Sequence, residues 1–473
     1  MASENISFDT LPASIRKPGK YFEFNTKLAV RTLPANVQKL LIVAQRTASG
    51  TQSPLVVTRV YSDAEAAVLF GAGSLAHLMC RAAITANPYL HLSVIAVNDD
   101  AAGIAATGTI TVTGTASGTG VVEVDVGNTT VQIAVALGDT ASAVAVALAE
   151  AINSTAAMPV TAVAAAGVVT LTARNAGALG NILAVRASEN VPGLGIEATA
   201  MSGGQVDPDI TAALAAVYTD GHTIICSPYA SQASAAILRS HLDAVSHALE
   251  QRGAVGVLGM RGTLAEATTL AELINSGRIT LAVAPGTVSL ACEVAAAYAA
   301  VIASEEDPAR PLNTLALTGI SPPPLAKRLS RMEQETALWN GVTPLEVGSG
   351  EIVQIVRAIT TYTRDAQGVD DIALLDLTTI RTLDYVRKAC RERIALRFPR
   401  EKLSSRTPPK VRSELIDVLK KLEELEIVEE VTANLPGLIC ERDLQDPNRL
   451  DAKIPCDVVN GLHIFAGRID LLL

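Results

Sequence analysis

The residues of this sequence that could do chemistry are few and scattered. An acidic turn at residues 365–371 could hold a cation, but its spacing does not match the EF-hand pattern. A polar turn between a strand and a helix is the better interpretation. His241 and His247 lie too far apart to share one helical face, and the other histidines form no ligand pair. We therefore expect no metal site and no cofactor.

Two segments lie where doubly wound α/β enzymes place their active sites, just after predicted strands. They are residues 226–228 (Cys-Ser-Pro) and residues 261–262 (Arg-Gly). Neither has an acid or base close in sequence, so ordinary turns are favoured. The sequence contains no Walker A, GxSxG or HExxH motif, and the glycines of residues 71–73 lack the third glycine of a dinucleotide-binding loop. We predict no catalytic residue, although an α/β enzyme with a β-rich appendage stays an alternative.

Composition bounds the elements that could position any site. With 473 residues, 49% of them hydrophobic and 18% charged, the chain can form several buried cores. A net charge of −10 argues against a general nucleic-acid binder. The cysteines are widely spaced, which fits a reducing cytoplasm, and the N-terminus has no signal-peptide pattern. Proline and glutamate interrupt the alanine-rich run at residues 279–303, so we expect no direct membrane insertion.

Alternating strand and helix patterns predict a multidomain α/β (α+β) protein with a largely parallel sheet. A stretch of short, nearly uncharged strands with one helix interrupts them and predicts a small, inserted β-rich domain. The predicted divisions are an extended N-terminal arm (1–36), the first part of an α/β domain (37–100), the β-rich insertion (101–205), the second part of the α/β domain (206–345) and a C-terminal core domain with a terminal strand (346–473).

Periodicity predicts several long elements. A β-branched, alternating run predicts a strand over residues 352–361, and an amphipathic helix follows over residues 374–396. Helical spacing also predicts continuous helices over residues 63–86 and 231–252. Two apolar stretches, residues 454–459 and 463–471, are predicted terminal strands. The last of these is an aggregation liability unless a partner covers it.

Charge is divided unevenly in the C-terminal part. Bases dominate residues 387–412, and acids dominate residues 414–430. This segregation favours oriented contacts with partners of opposite sign, although two solvated faces are the alternative. The residues that we name the basic patch are Arg387, Lys388, Arg391, Arg393 and Arg397.

Several motifs occur in the order that is typical of Mu-like phage (myovirus) contractile tail sheath proteins. They are LPASIRKPGKYFEFN (11–25), PPPLAKR (322–328), NGVTPL (340–345), the stretch 351–393 and RLDAKIPCDVVNGLHIFAGRIDL (449–471). The sequence resembles that family over most of its length. Its β-rich insertion resembles a module found in such sheaths and in other phage tail proteins.

The resemblance implies a structural subunit and not an enzyme. The subunit would stack with itself as hexameric rings around the tail tube protein and contract for viral genome ejection, between a baseplate and a tail terminator. It would be made in the host bacterial cytoplasm and reside in the virion tail, without direct contact to nucleic acid. Another tail or baseplate protein, or a related bacterial contractile injection system, stays open.

The resemblance also implies that neighbouring subunits exchange terminal strands. The residues that would do so are Ile15, Tyr21, Phe22, Phe24, His463, Ile464, Phe465, Ile469 and Leu471. The basic patch is a candidate for contact with the tube or with the acidic face of a neighbouring subunit.

Overall fold

The computed structural model describes residues 17–22 and 33–472. Residues 33–100 form β1 (Lys39–Gln45), β2 (Val57–Arg59), α1 (Asp63–Phe70), α2 (Leu75–Ala86) and β3 (His91–Val97). Residues 101–205 form β4 (Thr107–Gly114), β5 (Gly120–Val126), β6 (Thr129–Val135), α3 (Ala141–Ser154), β7 (Val160–Ala165), β8 (Val168–Ala173), β9 (Val185–Glu189) and β10 (Leu194–Ala198).

The second half of the chain continues this alternation and ends in a helical region. Residues 206–347 form α4 (Thr211–Ala216), β11 (Ile224–Cys226), α5 (Gln232–Ser246), β12 (Val255–Met260), α6 (Leu264–Ile274), β13 (Ile279–Val283), α7 (Ala291–Ser304), α8 (Arg331–Trp339) and β14 (Thr343–Val347). The remaining elements are β15 (Val353–Ile355), α9 (Leu377–Arg397), α10 (Thr407–Glu424), α11 (Val431–Asn434), β16 (Ile439–Arg442) and β17 (Leu450–Lys453).

A central sheet of eight strands organises the α/β part, in the order β15-β14-β13-β12-β11-β1-β3-β2. The strands from β14 to β3 run parallel, and β15 and β2 close the two edges in antiparallel fashion. Parallel strands are buried on both faces. Accordingly Leu40 and Ile42 face one hydrophobic core, while Leu41 and Val43 face the other.

Two smaller sheets and α3 form the region between β3 and α4. The sheets have the orders β10-β4-β8-β7 and β6-β5-β9, with every pairing antiparallel. Leu148 and Ile152 of α3 are fully buried. This arrangement agrees with a β-rich region of one helix, and the boundaries assigned to the domains stay predictions.

The C-terminal part packs α9 against α10 and adds the two-stranded sheet of β16 and β17. Its separate core includes Tyr385 and Ala389 of α9 with Leu415 and Leu422 of α10. The predicted helix over residues 374–396 is present as α9, shifted by a few residues.

Local chemistry explains where several helices begin. The Ser74 hydroxyl accepts a hydrogen bond from the backbone N–H of His77 at the start of α2, and Ser231 does the same for Ser234 at α5. Thr263 caps α6 in a reciprocal pair with Glu266. Such caps satisfy backbone donors that the first helical turn leaves without partners.

The strand predicted over residues 352–361 is wrong in its length, because only β15 pairs in the sheet. Its partner β14 contains Pro344, which has no N–H to continue the ladder. Beyond that point the backbone hydrogen bonds go to scattered partners: the Thr343 hydroxyl accepts from the backbone N–H of Ile359 at 3.0 Å, and the Ile279 carbonyl accepts from that of Thr361 at 2.8 Å. An alternating pattern alone therefore overestimated the strand.

The predicted helix over residues 63–86 is broken into α1 and α2. Gly71 and Gly73 have φ angles of 89° and 74°, which glycine adopts without steric cost, and these turn the chain between the two helices. The helix predicted over residues 231–252 ends at Ser246 instead, because its hydroxyl and the turn after it direct the chain into β12.

The terminal strands predicted over residues 454–459 and 463–471 are not formed in the described chain. The hairpin strand is β17, and Pro455 follows it without an N–H to donate. Residues 463–471 have no strand partner among the described residues, and a strand exists only when it is paired. Among all the residues that the structure describes, no helix is long and apolar enough to cross a membrane.

Candidate assembly surfaces

The β-rich region covers the carboxyl ends of the parallel strands, where an α/β enzyme would hold its substrate. Asn175 is 8% exposed and accepts a hydrogen bond from the backbone N–H of Leu75 at 3.0 Å. Its amide donates to the Arg46 carbonyl at 2.9 Å and to Asp99 Oδ1 at 3.0 Å. Gln45, the last residue of β1, also donates to Asp99 Oδ1 at 2.8 Å. Asn175 thus joins the β-rich region to two adjacent strand ends.

A second polar joint connects the β5–β6 turn to α7. The Asn128 Oδ1 atom accepts hydrogen bonds from the hydroxyls of Ser289 and Ser321, at 2.7 and 2.9 Å. The Asn128 amide donates to Glu293 Oε2 at 3.1 Å, and Arg81 donates to Glu293 Oε1 at 3.1 Å. Burial raises the pKa of Glu293, and the donors around its carboxyl group oppose that shift.

The two enzyme-like segments of the sequence do not form a catalytic pair. Burial raises the pKa of the Cys226 thiol, and the Ser227 hydroxyl accepts a hydrogen bond from the backbone N–H of Tyr229. Arg261 instead donates to the Ile182 carbonyl at 2.8 Å, which is another contact to the β-rich region. Among the described residues, no group of three or more His, Cys, Asp and Glu side chains could hold a metal ion.

The acidic turn at residues 365–371 hydrogen-bonds to itself and to a neighbouring tyrosine. Asp365 Oδ1 accepts from the backbone N–H groups of Gln367 and Val369, both at 2.9 Å. The Tyr362 hydroxyl donates to Asp371 at 2.5 Å, which raises the pKa of Tyr362 to about 12. These bonds make it a polar turn between β15 and α9.

The C-terminal segment is anchored at one residue and exposed beyond it. His463 Nδ1 lies 2.9 Å from the Asn313 amide, and burial lowers the pKa of His463, with Arg357 contributing. The large apolar residues after it are exposed by 80% or more: Ile464, Phe465, Ile469, Leu471 and Leu472. Residues 460–472 make no backbone–backbone hydrogen bond to any described residue. Large apolar side chains held in water are typical of a contact surface.

The N-terminal exchange residues are only partly within the described chain. Phe22 is 87% exposed and Tyr21 is 41% exposed. Ile15 and Phe24 lie outside the described residues. The exchange role of the arm therefore stays a prediction.

The basic patch divides into two groups by its partners. Arg393 is 4% exposed and donates to Asp417 at 2.6 Å and to Glu414 at 3.2 Å, and Arg397 lies 3.5 Å from Glu414. These arginines hold α9 to the acidic helix α10.

The other members of the patch face the α/β part. Arg387 pairs with Asp384 at 2.8 Å. Lys388 donates to the Ala35 carbonyl at 2.7 Å, and Arg391 donates to the carbonyl and side chain of Gln251 at 3.3 and 3.2 Å. Lys388 and Arg391 form no ion pair with a carboxylate of the described residues.

A cleft of about 310 Å³ lies beside Lys388 and Arg391, at the amino ends of β1, β11 and β12. Arg381 also lines it, and its Nη2 atom donates to the carbonyls of Glu305 and Ile302. The Nη1 atom of Arg381 is buried and has no hydrogen-bond partner among the described residues. Burial lowers the pKa of Arg381 to about 10. Sequence analysis missed this residue, although an arginine inside the apolar stripe of α9 was a usable signal.

These observations define a protein of mixed helices and several sheets that presents an exposed apolar segment at residues 464–472 and cations without a carboxylate partner among the described residues. A family model for the phage tail sheath protein central domain matches residues 203–361, and one for the phage tail sheath C-terminal domain matches residues 369–471. The tail sheath protein of a Mu-like prophage of Haemophilus influenzae is 33% identical over 487 residues, covering 99% of this chain and 100% of that protein. The chain belongs to the phage tail sheath family.

Two solved structures share the fold. A sheath tail protein from Desulfitobacterium hafniense aligns with a TM-score of 0.53 and 14% identity, covering 94% of this chain and 97% of the other. One from Listeria innocua aligns with a TM-score of 0.51 and 14% identity, covering 91% and 94%. The resemblance found in the sequence is confirmed, and the protein is a structural component of a phage tail sheath.

Proposed function

We propose that this chain stacks as sixfold rings around a tail tube and contracts to drive the tube through the host envelope. The exposed apolar C-terminal segment supports this proposal most directly. A segment that leaves its backbone donors and acceptors unpaired is suited to add a strand to another subunit. In a member of the sheath family, repeated addition of this kind links many copies.

The exchanging residues are the C-terminal His463, Ile464, Phe465, Ile469 and Leu471, and Ile15, Tyr21, Phe22 and Phe24 of the arm. The sheet of β16 and β17 has only two strands, so each strand has an edge without a partner in that sheet. Backbone hydrogen bonds across such an edge are independent of side-chain packing elsewhere. They can therefore persist while the remaining contacts between subunits change during contraction.

The other partners follow from the same assembly. The tube protein lies inside the rings, and the baseplate and tail terminator bound the stack. The subunit is made in the host cytoplasm and incorporated into the virion tail. Arg387, Lys388 and Arg391 of the basic patch contact the tube or a neighbouring subunit, whereas Arg393 and Arg397 serve mainly to hold α9 against α10.

Electron microscopy of the purified protein, with and without tail tubes, tests the proposal. We expect hollow cylinders with sixfold rings from the full chain and none after residues 464–472 are deleted. Because that segment has no backbone partner within the described chain, the deletion should leave the thermal unfolding midpoint of the monomer unchanged. A full chain that never polymerises and does not coat tubes would refute the proposal.

Point variants separate strand exchange from a general effect of truncation. Phe465→Ser with Ile469→Ser removes the apolar side chains of one strand face, and we expect it to abolish cylinders. The matched control is Arg468→Ser with Asp470→Ser, which changes the opposite face of the same extended segment and should retain them. Equal loss in both would argue against docking through the apolar face.

A further inference from the structure

Some cations of α9 and some carboxylates at the end of α10 have no partner of opposite charge among the described residues, and these two groups are opposite in sign. Arg393 and Arg397 are paired with Glu414 and Asp417, so these four charges have partners of opposite sign within the chain. Lys388 and Arg391, by contrast, bind only backbone and amide oxygens. A cation whose partners are all neutral can still gain a carboxylate.

Several unmatched acids lie at the end of α10 and in the turn that follows it, residues 424–430, which we name the acidic turn of α10. Glu424, Glu426, Glu429 and Glu430 have no side-chain hydrogen bond or ion pair to any described residue. Leu425 lies between the first two and is 56% exposed. The turn therefore presents an apolar side chain flanked by carboxylates.

The cleft beside Lys388 and Arg391 has the opposite character. Among the described residues that line it, the only acid is Asp384, which is already bound by Arg278 at 2.7 and 3.0 Å and by Arg387 at 2.8 Å. Arg381 is a further cation in the lining, and its guanidinium group is buried.

The acidic turn cannot reach the cleft of its own chain without unfolding. Ile427 and Val428 are 4% and 1% exposed and belong to the core between α9 and α10. Val428 also forms a β-bridge with Val458. The turn is thus held in place, and its carboxylates bind no other side chain of the described residues.

We propose that the acidic turn of α10 docks into the Arg381–Lys388–Arg391 cleft of a second copy of this chain. The cleft volume of about 310 Å³ accommodates Leu425 with its flanking carboxylates. The two surfaces differ, so the contact is heterologous and repeats from one copy to the next, which generates rings or open helices. This inference rests on the self-assembly proposed above and assigns one contact within it.

Charge reversal on each side tests the contact. The variants are K388E/R391E in the cleft, E424K/E426K in the turn, and the chain that carries both pairs. We expect each single-side reversal to raise the critical concentration for assembly about tenfold or more, because like charges then face each other. Sedimentation velocity and electron microscopy measure that concentration.

Combining the two charge reversals tests whether the acidic turn and the cleft contact each other. The chain with both reversals, and an equimolar mixture of the two single-side variants, should assemble within about threefold of the wild-type critical concentration. The control R59E/R186E makes the same change in net charge as K388E/R391E, but at two exposed arginines of other regions. It should assemble like the wild type. Thermal unfolding checks each fold, and K388Q/R391Q replaces the cleft reversal if that variant unfolds.

The outcomes distinguish this contact from assembly as a whole. If the wild type forms cylinders and single-side reversals do not change its critical concentration, or if restoration fails, the docking contact is wrong while the sheath function stands. If the wild type remains monomeric with and without tubes, both the sheath function and this contact are refuted.

Discussion

Asn175 offers the sharpest test of how the β-rich region is held. Its side chain makes three hydrogen bonds, to the backbone of Leu75, the backbone of Arg46 and the carboxylate of Asp99. The first partner begins α2 and the other two follow the ends of β1 and β3. Asn175→Ala removes all three bonds at once and leaves the two backbone groups without this partner.

The expected loss follows from the number of bonds. Each buried hydrogen bond contributes about 1 kcal/mol net, and a buried group left unpaired costs somewhat more, so Asn175→Ala should lower the free energy of unfolding by about 3 kcal/mol. Asn175→Asp keeps the oxygen that accepts from the Leu75 N–H. It replaces the wild-type amide group that donates to Asp99 with a second carboxylate oxygen, about 3 Å from the Asp99 carboxylate. That variant should lose more than the alanine variant at neutral pH.

The dependence on pH separates charge from geometry. In the Asn175→Asp variant, repulsion between Asp99 and the new carboxylate raises the folded-state pKa of the pair above its value in the unfolded chain. Stability is then higher below the unfolded pKa and falls as the pH rises through the folded pKa. The loss caused by Asn175→Asp should thus grow from pH 5 to pH 8, whereas the loss caused by Asn175→Ala should stay constant.

Urea unfolding followed by circular dichroism measures both variants. Asn460→Ala is the control, because this exposed asparagine makes no side-chain hydrogen bond to a described residue. If Asn175→Ala cost less than about 1 kcal/mol, Asn175 would not be a principal joint. If Asn175→Asp were as stable as the wild type at pH 8, the carboxylate of Asp99 would not face residue 175.

Two further predictions concern a buried histidine and a backbone turn. Burial lowers the pKa of His222, so the stability contributed by its neutral form is present above pH 6.5 and is lost as the pH falls through the folded-state pKa. His222→Leu should therefore reduce the fall in the urea midpoint between pH 7.5 and pH 5.5. The control His91→Leu, at an exposed histidine, should not reduce it. Gly71→Ala should lower the free energy of unfolding by about 3 kcal/mol, because φ is positive there and the new Cβ would overlap the Thr47 hydroxyl. Gly203 has a similar φ of 81° but open space around it, so Gly203→Ala should lower the free energy of unfolding by only about 1 kcal/mol in the same urea unfolding assay. Equal losses in the two variants would contradict the steric argument.

Strands buried on both faces were the part of the fold most accessible from sequence. β1 and β3 are short apolar runs bounded by polar residues, and the structure pairs them side by side as buried parallel strands. The region of β4–β10 was readable for a different reason, since its turns and alternation are local. β7 and β10 have weaker signals than the other strands of the region, because one is rich in alanine and the other contains glycine.

Elements that depend on partners distant in sequence could not be predicted. The stretch at residues 356–361 has strand periodicity, yet its backbone bonds go to Thr343 and to other groups outside any ladder. The C-terminal segment has the composition of a strand and no partner within the described chain. In both cases the amino acids specify what the chain could pair with, and the available edges decide whether it does.

The candidate site was predicted in composition and not in geometry. The charge runs of α9 and α10 were visible, but the contact between the helices pairs Arg393 and Arg397 with Glu414 and Asp417. Which charges are paired depends on helix register: Arg393 faces Asp417, while Lys388 and Arg391 face the α/β part. Arg381 was missed although its place inside the apolar stripe of α9 was a signal in the sequence, and its contacts with the Ile302 and Glu305 carbonyls depend on the fold.

The placement of the β-rich region also explains why the cleft is at the amino edge of the sheet. The chain enters that region after β3 and returns to β11, and β1 lies between these two strands. Entry and exit at the carboxyl edge bring Asn175 and Asn128 onto that edge, which closes the crevice that a doubly wound fold would leave open. The opposite edge stays accessible, and α9 crosses it with Arg381, Lys388 and Arg391 directed at the strand starts. The surface that serves a ligand in an α/β enzyme thus holds the β-rich region here, and the amino ends of the strands carry the cleft to which we assign a contact with another subunit.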